Sequence, residues 1–245
     1  MNPATGRANP QRAEEAEGGN LAGLLAGYRF VVCQSTRTAM QALDVRRRVY
    51  VDSSGYDVPV PDEYDARSWL LLATIEDSGE AVGSVRITPR AAGPLEAEEY
   101  FTLPAWLCSP RAAEISRLAI LPAHRKSRTF LPVVSLGLFK LVHQFLHRVD
   151  AHYMVICSRP ERLWTFEWMR FQRTGLAAHY TKLADAEHEL LWYDFRRRSA
   201  ILEGHPFRDF FVTQAYAEVL VPERTPRLDL GSDGRPYRSR SVRTA

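Results

Sequence analysis

A strand, a basic loop and a long amphipathic helix follow one another between Ala112 and Val149, and another strand, HYMVICS, follows soon after. The helix shows the three- and four-residue apolar spacing of one buried face: Leu131, Val134, Leu138, Leu141, Val142 and Phe145. YRFVVCQS, SWLLLATIED, EAVGSVRITPR and HELLWYDF have the β-branched and aromatic composition of further strands. Strands that alternate with helices predict a single α/β (α+β) domain of three layers, with helices flanking a mixed central β-sheet.

Turn and cap residues define other elements. Ser35 or Thr36 suits the N-cap of a helix that continues through TRTAMQALDVRRRVYVDS. DSGE between two strands predicts a hairpin. ERLWTFEWMRFQRTGL predicts another helix, which closes at Gly175.

Composition separates one domain from two polar ends. Residues 1–20 are rich in Ala, Gly, Pro, Asn and charge, and the chain after residue 221 is rich in Pro, Arg and Ser. We therefore expect a disordered segment over 1–20, one folded domain over 21–221 and a flexible tail over 222–245. Hydrophobic residues at 45% and charged residues at 25% are ordinary for a globular domain.

The sequence lacks the signals that mark several classes of protein. No run of about 18 apolar residues predicts a membrane span, and the N-terminus lacks the apolar core of a signal peptide. Three cysteines without CxxC spacing suit a reducing compartment, so we expect a cytoplasmic protein. A net charge of +3 gives little support for a nucleic-acid partner. Without a metal-ligand spacing, P-loop, dinucleotide fingerprint or serine-nucleophile motif, we expect neither a metal nor a permanently bound cofactor.

The strand after Ala112 carries charge inside an apolar pattern. A carboxylate among apolar strand residues tends to have a raised pKa and can serve as a general base near neutral pH, which makes Glu114 a candidate. The alternative is a structural ion pair with a neighbouring arginine. Strand alternation predicts two sets of side chains on opposite faces: Glu114, Ser116 and Leu118, and Ile115, Arg117 and Ala119.

Other charged residues predict a buried polar network beside this strand. Asp62 and Asp65 lie in the acidic loop PDEYDARS, just before a strand, and Arg86 lies within a strand. Residues 46–48 are three consecutive arginines on a helix, so at least one of them faces the sheet. Because an unpaired buried guanidinium is costly, we expect these arginines to meet the acidic loop. The alternative for the loop is simple exposure to solvent.

A basic loop, AHRKSR, lies between the charged strand and the long helix. Its cations are Arg125, Lys126 and Arg128. A helix start offers free backbone N–H groups and the positive end of the helix dipole, which suit a phosphate group. The alternative is a solvated basic turn.

VRRRVY, GY, DEYD, GSVRI and EISR occur in this order between residues 28 and 175. The ordered set resembles the GCN5-related N-acyltransferase superfamily, in the branch of acyl-homoserine-lactone synthases and long-chain N-acyl amino acid synthases. The resemblance implies catalytic residues Glu114 and Arg117. It also implies a polar network that shapes the substrate site: Arg46, Tyr50, Tyr56, Asp62, Asp65, Arg86 and Ser116.

This resemblance implies transfer of a long-chain fatty acyl group from acyl carrier protein, or from acyl-CoA, to the amine of an amino acid. Glu114 would take the amine proton. Backbone N–H groups near Leu118, Ala119 and Ile120 would stabilise the oxyanion. The helix 131–149 and LWTFEWMRF would wall the acyl tunnel. The donor's phosphopantetheine phosphate and its acidic carrier would suit Arg125, Lys126 and Arg128.

Three rival functions stay open. The first is autoinducer synthesis, which makes an acyl-homoserine lactone from S-adenosylmethionine; those synthases favour Phe and Trp where this chain has Tyr50 and Tyr56. The DEYDARS form looks more like the N-acyl amino acid synthases. The second is a generic acetyltransferase that uses acetyl-CoA, whose usual phosphate loop contains a glycine that residues 127–130 lack. The third is a non-catalytic acyl-carrier-binding or lipid-binding module.

Overall fold

The computed structural model describes residues 23–126, 131–181 and 186–226. The predicted disordered segment 1–20 lies outside the described residues, as does the predicted tail after residue 226. The proposed domain boundaries therefore stay predictions. Within the described ranges, no helix is both long enough and apolar enough to cross a membrane.

Eight strands in the described part of the chain form one mixed sheet. Their bounds are β1 Tyr28–Val32, β2 Trp69–Ile75, β3 Ala81–Pro89, β4 Ala112–Ile120, β5 Tyr153–Ser158, β6 Gln172–Tyr180, β7 Ala186–Asp194 and β8 Val219–Leu220. The order across the sheet is β6-β7-β5-β4-β3-β2-β1-β8. The α-helices are α1 Thr36–Arg47, α2 Val133–Arg148, α3 Leu163–Trp168, α4 Arg198–Ile201 and α5 Arg208–Val212.

The parallel pair β5 and β4 lies inside the sheet, as the third and fourth strands from the β6 edge. The two strands pair at only three positions, ending with Glu114 opposite Val155. Beyond that point residues of both strands line a common cavity, so the strands have separated. On either side the sheet continues with antiparallel strands, β3 next to β4 and β7 next to β5. The chain thereby places an opening inside its sheet.

Helices α1 and α2 cover opposite faces of the sheet. Leu70 and Leu72 of β2 cluster with residues of α1, whereas Leu71 packs into the main core with α2. Ser35 caps α1 and accepts a hydrogen bond from the Thr38 backbone N–H. This confirms the predicted helix start.

The close packing of α2 against the sheet depends on small residues. A Cβ atom added at Gly137 of α2 would lie 2.1 Å from Cζ of Phe30 in β1, far inside van der Waals contact. Gly83 of β3 faces Val134 of α2 at similarly short range. These two glycines therefore let α2 lie directly on the strands.

A second apolar core lies under a segment without long helices. Leu95, Phe101 and Leu107 of this segment pack against Val155 of β5 and Leu190 of β7. The 3₁₀ turn Glu96–Glu99 belongs to the same segment. This segment therefore covers the sheet next to the point where β4 and β5 separate.

One predicted element is wrong. The segment expected to form a single helix up to Gly175 contains only the six-residue α3, followed by strand β6. Arg170 has a φ of 67°, a left-handed conformation that ends the helical path. Strand β6 then pairs with β7 at the edge of the sheet. The fold class itself is confirmed: strands alternate with helices around a mixed central sheet.

Candidate active site

A cavity of about 660 Å³ occupies the gap between β4 and β5. Its polar end is lined by Tyr50, Tyr56, Glu96, Glu114 and Ser116. Its apolar end is lined by residues around α2 and α3, among them Leu131, Ser135, Phe139 and Phe166. Its lining therefore combines residues that follow α1, Tyr50 and Tyr56, with residues of α2, Ser135 and Phe139.

A β-bulge in β4 shapes the cavity. Ser84 and Arg86 of β3 pair with Ala119 and Ser116 of β4, so three steps along β4 match two along β3. Arg117 lies in the bulge with a φ of 57°. The predicted alternation put Arg117 on the face opposite Ser116, and this is wrong. The bulge turns its side chain to the polar network that also contains Ser116.

Arg86 is the centre of the polar network. Its side chain is fully buried. Its Nη1 lies 2.5 Å from Oδ1 of Asp62, and its Nη2 lies 2.5 Å from Oε2 of Glu96. Its Nε donates to Oγ of Ser116 at 3.1 Å. A buried guanidinium needs partners of this kind, since an uncompensated buried charge is strongly destabilising.

Two more arginines complete the network. Arg117 Nη2 lies 2.6 Å from Oε1 of Glu96 and 3.2 Å from Oδ2 of Asp62. Arg46 Nη1 donates to Oδ1 of Asp65 at 2.9 Å. Both aspartates are buried, so the acidic loop is not a solvated loop. Burial alone would raise the pKa of Asp62, but the arginines outweigh it and lower that pKa to about 2.

Glu114 lies beside this network without an ion pair among the described residues. Only 2% of its surface is exposed, and its Oε2 accepts the Ala97 backbone N–H at 3.2 Å. Burial and the nearby charge of Glu96 raise its pKa to about 7, against the opposing effect of Arg86 and Arg117. The structural ion pair considered as an alternative is absent from the described part of the chain. A carboxyl group in this state can exchange a proton near neutral pH.

The two predicted aromatic residues lie at the polar end of the cavity. The rings of Tyr50 and Tyr56 are tilted, with centroids 6.1 Å apart. The Tyr50 hydroxyl donates to the carbonyl oxygen of Leu118 at 3.0 Å. Burial raises the pKa of Tyr50, so this group stays a neutral donor.

The hydrogen bonds of β4 past the bulge show in which direction its backbone N–H and C=O groups point. Leu121 N–H donates to Val82 O beside β3 at 2.9 Å. Leu118 O accepts from Tyr50, and Ile120 O accepts from Arg125 Nε at 2.7 Å. Because an antiparallel strand alternates its direction, the N–H groups of Leu118 and Ile120 point away from β3, toward the gap left by β5. Ala119, by contrast, is paired with Ser84 of β3.

Comparisons with known proteins identify the family of this chain. A family model described as "N-acyl amino acid synthase FeeM" matches residues 41–194, well over half of the chain. The chain belongs to this FeeM family of N-acyl amino acid synthases. It is therefore an acyltransferase, as predicted. Among curated proteins, none matches it.

Solved structures share the fold of this FeeM-family chain at low sequence identity. FeeM, an N-acyl amino acid synthase from uncultured soil microbes, is 14% identical, with a TM-score of 0.61 over 72% of this chain and 96% of that one. BjaI, a CoA-dependent acyl-homoserine lactone synthase, is 20% identical, with a TM-score of 0.60 over 83% and 97%. The lactone synthase LasI is 20% identical, with a TM-score of 0.53 over 80% and 98%. The predicted GCN5-related architecture is confirmed.

The basic loop is only partly described. Arg125 lines the cavity, and Lys126 is exposed next to it. Arg128 lies outside the described residues. Two cations that sequence reasoning missed, Arg159 and Arg162, line the cavity from the segment after β5. Cations therefore follow both of the separating strands.

Sequence reasoning also missed Glu96, Tyr180 and His188, which line the cavity as well. Glu96 gave no signal, because it belongs to an irregular segment whose burial depends on distant strands. Cys157 of β5 lines the cavity, and burial raises the pKa of its thiol well above the ordinary value. Tyr180 and His188 line it from β6 and β7. Tyr180 stacks on Tyr100 with ring centroids 3.9 Å apart. Only recognition of β6 as a strand would have placed Tyr180 here.

Proposed function

We propose that the protein transfers a long-chain fatty acyl group from a thioester donor to the amine of an amino acid, giving an N-acyl amino acid. One observation carries the proposal: Glu114 is a buried carboxyl group with a pKa of about 7, beside the cavity where β4 and β5 separate. A base of this strength is well suited to proton transfer at physiological pH.

The reaction follows from this placement. The amine nitrogen attacks the thioester carbonyl as Glu114, directly or through one water, takes an amine proton. A C–N bond forms and the C–S bond breaks, so the products are an amide and a free thiol. Glu114 then returns its proton to the departing thiolate or to solvent. No covalent enzyme intermediate is needed.

The oxyanion of this reaction would lie against β4. The N–H groups of Leu118 and Ile120 point into the gap, and the bulge at Arg117 lies directly before them. Two backbone donors fixed in a site that excludes water stabilise a developing negative charge without reorganisation. Tyr50 supports this arrangement, because its hydroxyl holds the Leu118 carbonyl. Ala119 would serve only as a spacer.

The polar network would shape the acceptor's side of the cavity. Arg117 lines the cavity and is held by Glu96 and Asp62. Arg46 and Arg86 fix the aspartates behind it. The network thus positions Arg117 beside the acceptor, where its remaining N–H groups can meet a carboxylate.

The acyl chain would occupy the apolar end of the cavity. Leu131, Ser135 and Phe139 line it around α2, and Phe166 lines it from α3. The whole cavity, polar and apolar ends together, has a volume of about 660 Å³, which falls within the roughly 300–1,000 Å³ of small-ligand sites. This supports the expected tunnel wall formed by α2 and the aromatic segment LWTFEWMRF.

The donor would enter past the cations that follow β4 and β5. Arg125, Lys126, Arg159 and Arg162 suit an acidic carrier protein and its phosphopantetheine phosphate. We favour acyl carrier protein as the partner. Acyl-CoA is the second donor, because the solved neighbour BjaI is CoA-dependent. No permanently bound cofactor or metal has a role in this scheme.

A direct assay tests the function. The protein is mixed with long-chain acyl carrier protein, long-chain acyl-CoA or acetyl-CoA and a panel of amino acids, and products are identified by mass spectrometry. We expect an N-acyl amino acid with one free thiol released per amide, and no product with acetyl-CoA. Glu114→Gln serves as the matched control.

Lactone synthesis is the second candidate, favoured by the fold shared with BjaI and LasI. It predicts that S-adenosylmethionine is consumed, with release of methylthioadenosine. Formation of a homoserine lactone in the same panel would replace the proposed function with this one.

A further inference from the structure

Seven arginine and carboxyl side chains are buried at or behind the polar end of the cavity, counted among the described residues. Three are cations and four are carboxyl groups: Arg46, Arg86 and Arg117, and Asp62, Asp65, Glu96 and Glu114. Three cations can balance only three carboxylates. The contacts decide which carboxyl group is the fourth.

Glu96 forms ion pairs with the two arginines that lie near Glu114. Its Oε2 lies 2.5 Å from Arg86, and its Oε1 lies 2.6 Å from Arg117. Both of its oxygens are therefore engaged by guanidinium groups, and only 2% of its surface is exposed. Glu96 thus occupies the ion-pair position that Glu114 would otherwise fill.

The same turn also holds Glu114 in place. Ala97, the residue directly after Glu96, donates its backbone N–H to Oε2 of Glu114 at 3.2 Å. Leu95 and Ala97 are fully buried in the second apolar core, which fixes the turn on both sides of Glu96. One short segment therefore both neutralises the arginines and positions the remaining carboxyl group.

We propose that Glu96 is a positioning residue that keeps Glu114 basic enough to accept a proton, by satisfying Arg86 and Arg117 in its place. The inference rests on the proposed function, in which Glu114 is the base. Without Glu96, the two arginines would hold one positive charge in excess, and Glu114 would become their structural ion-pair partner.

Three other titratable side chains that line the cavity with Glu114 carry no charge at neutral pH. Burial raises the pKa values of Cys157 on β5 and Tyr180 on β6, so both stay protonated. Burial lowers the pKa of His188 on β7, which keeps it neutral. The charged side chains that shift the pKa of Glu114 are Glu96, which raises it, and Arg86 and Arg117, which lower it.

The pH profile of activity tests the proposal in Glu96→Gln. Loss of the Glu96 charge lowers the proton affinity of Glu114. In the plot of kcat/KM against pH, we therefore expect the midpoint of the acidic limb to shift to lower pH by at least about one unit. A purely structural role would lower activity at every pH without moving the limb. Glu96→Asp keeps the charge and should restore the wild-type limb.

Glu63→Gln is the matched control, because it removes an exposed carboxylate from the same acidic loop as Asp62. We expect its limb to coincide with that of the wild type. If Glu96→Gln does not fold, the double variant Glu96→Gln/Arg117→Met removes one charge of each sign. The midpoint of Glu114 protonation in this double variant, measured without turnover, should stay within about half a pH unit of wild type, and a larger downward shift would refute the charge balance.

A titration without turnover separates this inference from the proposed function. Infrared difference spectra against Glu114→Gln follow protonation of the Glu114 carboxyl group directly. A downward shift of the Glu114 midpoint in Glu96→Gln supports the inference even if no acyl transfer is found. An unchanged midpoint overturns it even if the enzyme is active.

Discussion

Replacing Asp62 by Asn removes the carboxylate that joins two buried arginines. Its Oδ1 lies 2.5 Å from Arg86, and its Oδ2 lies 3.2 Å from Arg117. Asn keeps the shape of the side chain and can still accept the Tyr64 backbone N–H. The substitution therefore tests the charge rather than the packing.

The structure gives the size of the effect. Burial opposes ionisation of Asp62, but the arginines lower its pKa from 3.8 to about 2. That difference of about two pH units, at about 1.4 kcal/mol each, corresponds to about 2–3 kcal/mol of stability. Two buried arginines left short of a partner add to the loss, so we expect Asp62→Asn to cost about 3–5 kcal/mol.

The effect has a defined pH dependence. The pKa of Asp62 is lower in the folded protein than in the unfolded chain, so its stabilisation is present above about pH 4 and is lost as the pH falls toward 2. The gap in unfolding free energy between wild type and Asp62→Asn should therefore be large at neutral pH and narrow as the solution becomes acidic.

Urea unfolding, monitored by circular dichroism, measures this difference in unfolding free energy. Asp57→Asn is the matched control, since Asp57 is an exposed residue of the neighbouring loop and should change stability by less than about 0.5 kcal/mol. If Asp62→Asn cost no more than the control, or if its cost were the same at acidic and neutral pH, the account of the network would be refuted.

Three further substitutions test other parts of the molecule. Cys157→Ala should leave turnover essentially unchanged, because burial keeps the thiol protonated, and a large loss would indicate a nucleophile. Gly137→Ala should lower the unfolding free energy by about 1–3 kcal/mol, since its Cβ would meet the Phe30 ring, and an unchanged value in urea unfolding would contradict this packing. Ser135→Phe should shift products toward shorter acyl chains in mass spectrometry, while an unaltered distribution would place the chain elsewhere.

Local patterns predicted the parts of the fold that depend on neighbours in sequence. Ser35 begins α1 because its side chain caps the helix, and the DSGE turn joins β2 to β3. The cost of a buried guanidinium predicted that one of the arginines at 46–48 would meet the acidic loop and that Arg86 would need a carboxylate partner, and the structure shows Arg46 with Asp65 and Arg86 with Asp62. Each of these features follows from a short pattern or from one electrostatic requirement.

Features that depend on distant contacts were not predictable in this way. Strand β6 is an edge strand with mostly exposed residues, so it lacks the apolar alternation that marks a strand. The bulge at Arg117 changes the face of one side chain through pairing with β3. Glu96 is buried by Arg86 and by the second core, and neither is visible from the residues around it.

The central claim is that Glu114 is the base for acyl transfer. Single-turnover measurements with a bound acyl donor compare wild type with Glu114→Gln, which keeps the size of the side chain but cannot take a proton. If Glu114 is the base, donor binding is unchanged and the rate of amide formation falls by about 10²–10⁴-fold. A Glu114→Gln variant that forms amide at the wild-type rate would contradict this claim.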